Sequence, residues 1–142
     1  MEKKSILFVC IHNSARSQMA EAFLQTLAGD RFYAYSAGIE LPGKLNPFAV
    51  QAMKEVGIDI SRQRVKSIAE FLLEKYQFYR VITVCDESAG RCPSWIGMGE
   101  MLPWRFDDPS AVKGGDREKL AKARAVRDQI RAKIVEWLRE FH

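Results

Sequence analysis

At 142 residues, 47% apolar and 28% charged, the chain is sized for one domain (1–142) with an ordinary buried core. No apolar run approaches a membrane span, and Ile6 to Ile11 is too short for the core of an export signal. A cytoplasmic location with no membrane partner is therefore expected. The net charge of +4 is mild, and the basic residues after Lys113 are interleaved with acids, which argues for a solvated helix face and against a nucleic-acid surface while leaving a weak bias toward anionic substrates.

Ser5 to Cys10 is a short branched and aromatic run that reads as a central parallel strand buried on both faces. From Ala15 or Ser17 the period becomes helical, with Met19, Ala20, Phe23, Leu24 and Leu27 inward and Gln18, Glu21 and Gln25 opposite, up to Gly29. Arg31 to Ala37 is a second strand, ended by Gly38. Asn46-Pro47 supplies an N-cap and a first-turn proline for a helix carrying Phe48, Val50 or Ala49, Met53 and Val56, stopped at Gly57. Ile58 to Arg64 is irregular. Ser67 to Tyr76 is a third helix with Ile68, Phe71 and Leu72 inward.

Tyr79 to Cys85 is another buried strand ending in cysteine. Asp86 to Gly99 is a long loop or a poorly stable helix, since it holds three glycines and a proline. Met101 to Phe106 is a short last strand, placed at an edge by Pro103. Asp107-Asp108-Pro109 is a turn, and Asp116 to Phe141 a long amphipathic helix through Leu120, Ala123, Val126, Ile130, Ile134, Trp137 or Leu138, and Phe141. Strands alternating with helices imply an α/β fold: a four-stranded parallel sheet with helices on both faces, ligands sitting at the carboxyl ends of the strands. Cys10, Cys85 and the Asp107-Asp108 pair all fall at such ends.

The stretch Cys10-Ile-His-Asn-Ser-Ala-Arg-Ser carries the chemistry. A loop running into a helix start turns the backbone N–H groups of Ile11, His12, Asn13, Ser14, Ala15, Arg16 and Ser17 toward one point and adds the helix dipole. The Arg16 guanidinium suits two oxygens of a tetrahedral oxyanion at once. The same positive field favours a Cys10 thiolate, Ser17 can donate a hydrogen bond to it, and Asn13 tolerates a left-handed backbone. His12 reads as an outward loop residue, because the only other histidine is His142 and a metal site lacks a ligand set. No metal and no cofactor are expected. A leaving oxygen needs a proton, for which Asp108 before Pro109 is the stronger candidate and Asp107 its neighbour and rival. In a reducing compartment Cys10, Cys85 and Cys92 are catalytic, redox-active or merely buried, not a structural framework.

The Cys10–Ser17 stretch resembles the phosphate-binding loop of low-molecular-weight protein tyrosine phosphatases, and Asp108-Pro109 resembles their general-acid loop. More closely, the chain is similar to the thioredoxin-coupled arsenate reductases built on that flavodoxin-like fold. The likeness rests on Asn13 to Glu21, Tyr35 to Glu40, Asn46-Pro47, Ile58 to Ser61, Val84 to Asp86, Cys92-Pro93 and Trp104 to Pro109. It implies that Cys10 attacks arsenate while Asp108 protonates the departing oxygen. Cys85 then attacks Cys10, Cys92 attacks Cys85, and an external dithiol protein, thioredoxin or similar, reduces the final disulfide. A monomer is expected. Asp108-Pro109-Ser110 lacks the tyrosine pair that follows this proline in the phosphatases, which favours a small inorganic substrate over phosphotyrosine. Some relatives hold a potassium ion near Asn13, Glu21 and Ser36; Lys66 falls about where an acidic ligand occurs in them, so its ammonium is expected to replace that cation. The alternatives are a phosphatase using only Cys10, Arg16 and Asp108, and a redox-sensing anion-binding module without turnover.

Overall fold

The computed structural model describes residues 3–40, 44–85 and 97–141. Cys92 and most of the Asp86–Gly99 stretch lie outside them. Four parallel strands, β1 (Lys4–Cys10), β2 (Phe32–Gly38), β3 (Arg80–Thr83) and β4 (Glu100–Pro103), form one sheet in the order β2-β1-β3-β4. The helices are α1 (Arg16–Ala28), α2 (Pro47–Lys54), α3 (Ile68–Leu73) and α4 (Asp116–Arg139). The order of elements is the one the sequence predicts. The chain runs outward from β1 to β2, then returns to the far side of β1, so the direction of winding reverses beside Cys10.

β1 is central because both its faces are apolar. Ile6, Phe8 and Cys10 face one layer with Met19 and Phe23 of α1, Ala49 and Met53 of α2, and Val126, Ile130, Ile134 and Trp137 of α4. Leu7 and Val9 face the other, thinner layer with Ile68 and Phe71 of α3, Phe78 and Met98. Full burial of such an aliphatic side chain stabilises the fold by about 2 kcal/mol. α4 buries one stripe from Ala123 to Trp137, as its period requires, and Arg124 and Arg127 on its flank clamp Glu55 beyond α2.

The elements depart from expectation mostly at their ends. β3 ends at Thr83, two residues short of the predicted Cys85, although Val84 still donates to the Val9 carbonyl and the Thr83 carbonyl still accepts from Trp104. β4 stops at Pro103, ahead of the predicted Phe106, where proline cannot donate to a ladder. Three predicted inward residues are exposed: Leu27 (38%), Val56 (43%) and Leu72 (48%). Each sits at or just past the last turn of a helix, where the chain leaves the core. Gln18, expected on the solvent face of α1, is fully buried. The first turn of α1 is enclosed on all sides, so helical period there carries no information about exposure.

Candidate active site

Cys10 ends β1 and Arg16 opens α1, with 11–15 between them. Asn13 takes the left-handed conformation, φ +54°, which aims its N–H at the Cys10 sulfur at 3.1 Å. Asparagine is among the few residues that adopt this backbone readily. Its side chain is fully engaged. Oδ1 accepts from the backbone N–H of Lys66 at 2.8 Å and from Gln18 Nε2 at 2.9 Å, which leaves Nδ2 to donate to Ser17 Oγ at 2.7 Å. Ser17 Oγ lies 2.8 Å from Cys10 Sγ. Since that oxygen already accepts from Asn13, its proton is free to point at the sulfur.

The loop has a floor. Gln18 Nε2 is shared between the Asn13 carbonyl and the Arg64 carbonyl, and Gln63 Nε2 reaches Gln18 Oε1 at 2.6 Å. Gly38 comes so close beneath the loop that a Cβ there would stand 2.8 Å from the His12 carbonyl carbon and 2.9 Å from the Asn13 nitrogen. Beyond β2, Ile39 and Glu40 donate to the carbonyls of Cys10 and Ile11. None of Gln18, Gln63 or the peptide groups at 64–66 was singled out from sequence. The only available signal was a polar residue, Gln18, in the first turn after a candidate oxyanion loop.

Arg16 is buried (4% exposed), so its charge is held inside the site rather than spent in solvent. One guanidinium nitrogen donates to the Phe106 carbonyl at 3.1 Å and the other lies 3.7 Å from Asp108 Oδ2. This joins the start of α1 to the turn at 106–110. The two aspartates of that turn separate cleanly. Asp107 points outward and pairs with Lys122 at 2.6 Å. Asp108 accepts from the Ser110 N–H on Oδ1 at 2.8 Å and faces Arg16 with Oδ2. Geometry thus favours Asp108 as the group over the loop. His12 and Ser14 are half-buried, Ile11 and Ala15 buried. The structure brings together Cys10, Arg16, Ser17 and Asp108.

Cys85 lies two residues past β3, buried, with its thiol 3.7 Å from the carbonyl of Val9, the residue before Cys10. The Cys10 thiol is free, so it is not joined to Cys85.

Below the loop, Lys66 Nζ lies 3.6 Å from Glu21 Oε1 and donates to the Arg64 carbonyl at 2.7 Å, while Ser36 Oγ donates to the same Glu21 oxygen at 2.8 Å. The Lys66 ammonium and the Ser36 hydroxyl thus meet at one carboxylate oxygen of Glu21. Burial pushes the Glu21 carboxyl above its ordinary pKa, opposed by Lys66 and Ser36. Burial likewise pulls Lys66 below its own ordinary value, opposed by Glu21.

Residues 5–142 match the family of low molecular weight phosphotyrosine protein phosphatases. A protein of Halalkalibacterium halodurans named arsenate reductase is 48% identical over 134 residues, 94% of each chain. A solved structure described as an arsenate reductase in the phosphate binding state superposes with a TM-score of 0.79 at 32% identity, covering 98% of this chain and 99% of that one. A thioredoxin-dependent arsenate reductase of Corynebacterium glutamicum has a TM-score of 0.70 at 26% identity, covering 96% of this chain and 61% of the other. The chain belongs to the low molecular weight phosphotyrosine protein phosphatase family, in company with its arsenate reductases.

Proposed function

We propose that this protein reduces arsenate to arsenite through a relay of Cys10, Cys85 and Cys92, and that thioredoxin or a similar dithiol protein regenerates it. The observation that carries the reading is the second buried thiol, Cys85, lodged against the peptide that leads into Cys10. Hydrolysis of a phosphate ester would use Cys10, Arg16 and Asp108 and leave Cys85 without a task. The relatives named arsenate reductase, one of them described as thioredoxin-dependent, support the same reading.

The steps follow from the atoms available. The Cys10 thiolate attacks arsenic, Asp108 gives its proton to the departing oxygen, and water leaves a Cys10–arsenate thioester. Arg16 and the N–H groups of 11–17, except that of Asn13, which is turned to the Cys10 sulfur, hold the remaining oxygens. The Cys85 thiol, after losing its proton to solvent, attacks the Cys10 sulfur. The sulfur–arsenic bond breaks with its electron pair on arsenic, giving arsenite and a Cys10–Cys85 disulfide. Cys92 then displaces Cys10 from Cys85, and the external dithiol reduces Cys85–Cys92. One disulfide formed accounts for the two electrons gained by arsenic.

The test is arsenate-dependent consumption of NADPH with thioredoxin and its reductase present. Cys85→Ser is expected to abolish turnover while still binding arsenate. Normal turnover by that variant would refute the relay. Aryl-phosphate hydrolysis that survives loss of Cys85 and Cys92, without any arsenate reduction, would establish the phosphatase instead.

A further inference from the structure

Asn46 touches three parts of the molecule at once. Its N–H donates to the Ser14 carbonyl of the oxyanion loop at 2.8 Å. Its Oδ1 caps α2, accepting from Phe48 and Ala49 N–H groups at 2.8 and 3.3 Å. That capping fixes the amide orientation, so Nδ2 is the atom that faces Ser110 and donates to its Oγ at 2.8 Å. Ser110 in turn gives its N–H to Asp108 Oδ1 at 2.8 Å. With Oδ1 engaged and Pro109 fixing φ between them, Oδ2 is the carboxyl oxygen left facing Arg16.

We infer that Asn46 is a positioning residue for the Asp108 carboxyl, acting through the Ser110 side chain. The inference rests on the reading of Asp108 as the proton donor. A recess of about 260 Å³ opens beside the bond, lined by Ser14, Phe48, Pro109 and Lys119, large enough for water to enter. Asn46–Ser110 links the two sides of this recess directly. The link runs from the loop that binds the oxyanion to the turn that protonates it, so the two stay in register. Asp107, which lacks this connection, is pulled outward by Lys122.

The experiment is a single turnover. Fully reduced protein is mixed with arsenate without external reductant, and arsenite is measured against time and arsenate concentration. Ser110→Ala removes the acceptor but keeps the N–H to Asp108. It is expected to slow the maximal rate about fivefold, with half-saturating arsenate and melting temperature unchanged. Ser110→Thr, which keeps the hydroxyl, restores the rate. Asn46→Ser still offers a cap oxygen to α2 but is too short to reach Ser110; it should show the same loss, and combining it with Ser110→Ala should add nothing. A wild-type rate in Ser110→Ala, or losses that multiply in the double variant, would overturn the inference. Asp108→Asn is run alongside. Full rate in that variant would instead overturn the assignment of Asp108, whatever Ser110 does.

Discussion

The Ser17 hydroxyl lies 2.8 Å from the Cys10 sulfur while accepting from the Asn13 amide at 2.7 Å, so its proton is available to a Cys10 thiolate. A charge-assisted bond of this kind stabilises the reactive anion by about 1 kcal/mol. Ser17→Ala should slow alkylation of Cys10 by iodoacetamide at neutral pH about fivefold, the same energy expressed as a rate. Alkylation at the wild-type rate would remove Ser17 from the chemistry.

Arg16 is buried with its fork against the Phe106 carbonyl and Asp108. Lysine keeps the charge but loses the planar pair of donors. Arg16→Lys should weaken binding of phosphate or arsenate by about 2 kcal/mol, roughly thirtyfold, measured by calorimetry on the reduced protein. Unfolding by urea should be little changed. Equal affinity in the variant would show that charge alone holds the anion.

Gly38 underlies the loop with no room for a side chain. Gly38→Ala must push backbone apart at His12 and Asn13, which should cost about 2 kcal/mol in urea unfolding and slow Cys10 alkylation. Gly57, at φ +83° with open space around its missing Cβ, offers the contrast. Gly57→Ala strains one turn and should leave alkylation untouched.

The Lys66–Glu21 pair is mostly buried, with side chains 13% and 16% exposed. Lys66→Met leaves the Glu21 carboxylate without its cation and should lower stability by about 2 kcal/mol at pH 7. The pH dependence has a definite sign. Glu21 is raised above its ordinary pKa by burial, so charging it in the folded protein is costly, and removing Lys66 raises it further. The deficit of the variant is therefore full at neutral pH. It shrinks as pH falls through the raised folded value toward the ordinary carboxylate value, where both states are protonated. A deficit constant over that interval would contradict the role of Glu21.

Much of this was legible in the chain. The apolar run before Cys10, the Asn46-Pro47 helix start and the Ala123–Trp137 stripe each follow from a local rule, and each formed as expected. Chemistry and spacing single out Arg16 and prefer Asp108 to Asp107 in the sequence, and the structure places Asp108 against Arg16 and Asp107 against Lys122, fifteen residues away. What stayed hidden was the floor of the loop. Gln18, Gln63 and the carbonyl of Arg64 support Asn13 through contacts up to 46 residues apart in sequence, using groups that no local pattern marks. Asn46 was read as a cap and is one, but its second task depends on where Ser110 comes to lie.

The carbonyls of Cys10 and Ile11 are taken by Ile39 and Glu40, which extends the β1–β2 seam past the last paired residue and into the catalytic loop. Cys10 is thus tied on both sides to its neighbouring backbone, in the central strand of the sheet. A disulfide requires its sulfurs at about 2.05 Å, and Cys10 is not bonded to Cys85 here. In a relay of sulfurs Cys10 is then the anvil: it receives each blow in place, and the displacement that closes the bond must be supplied from the end of β3.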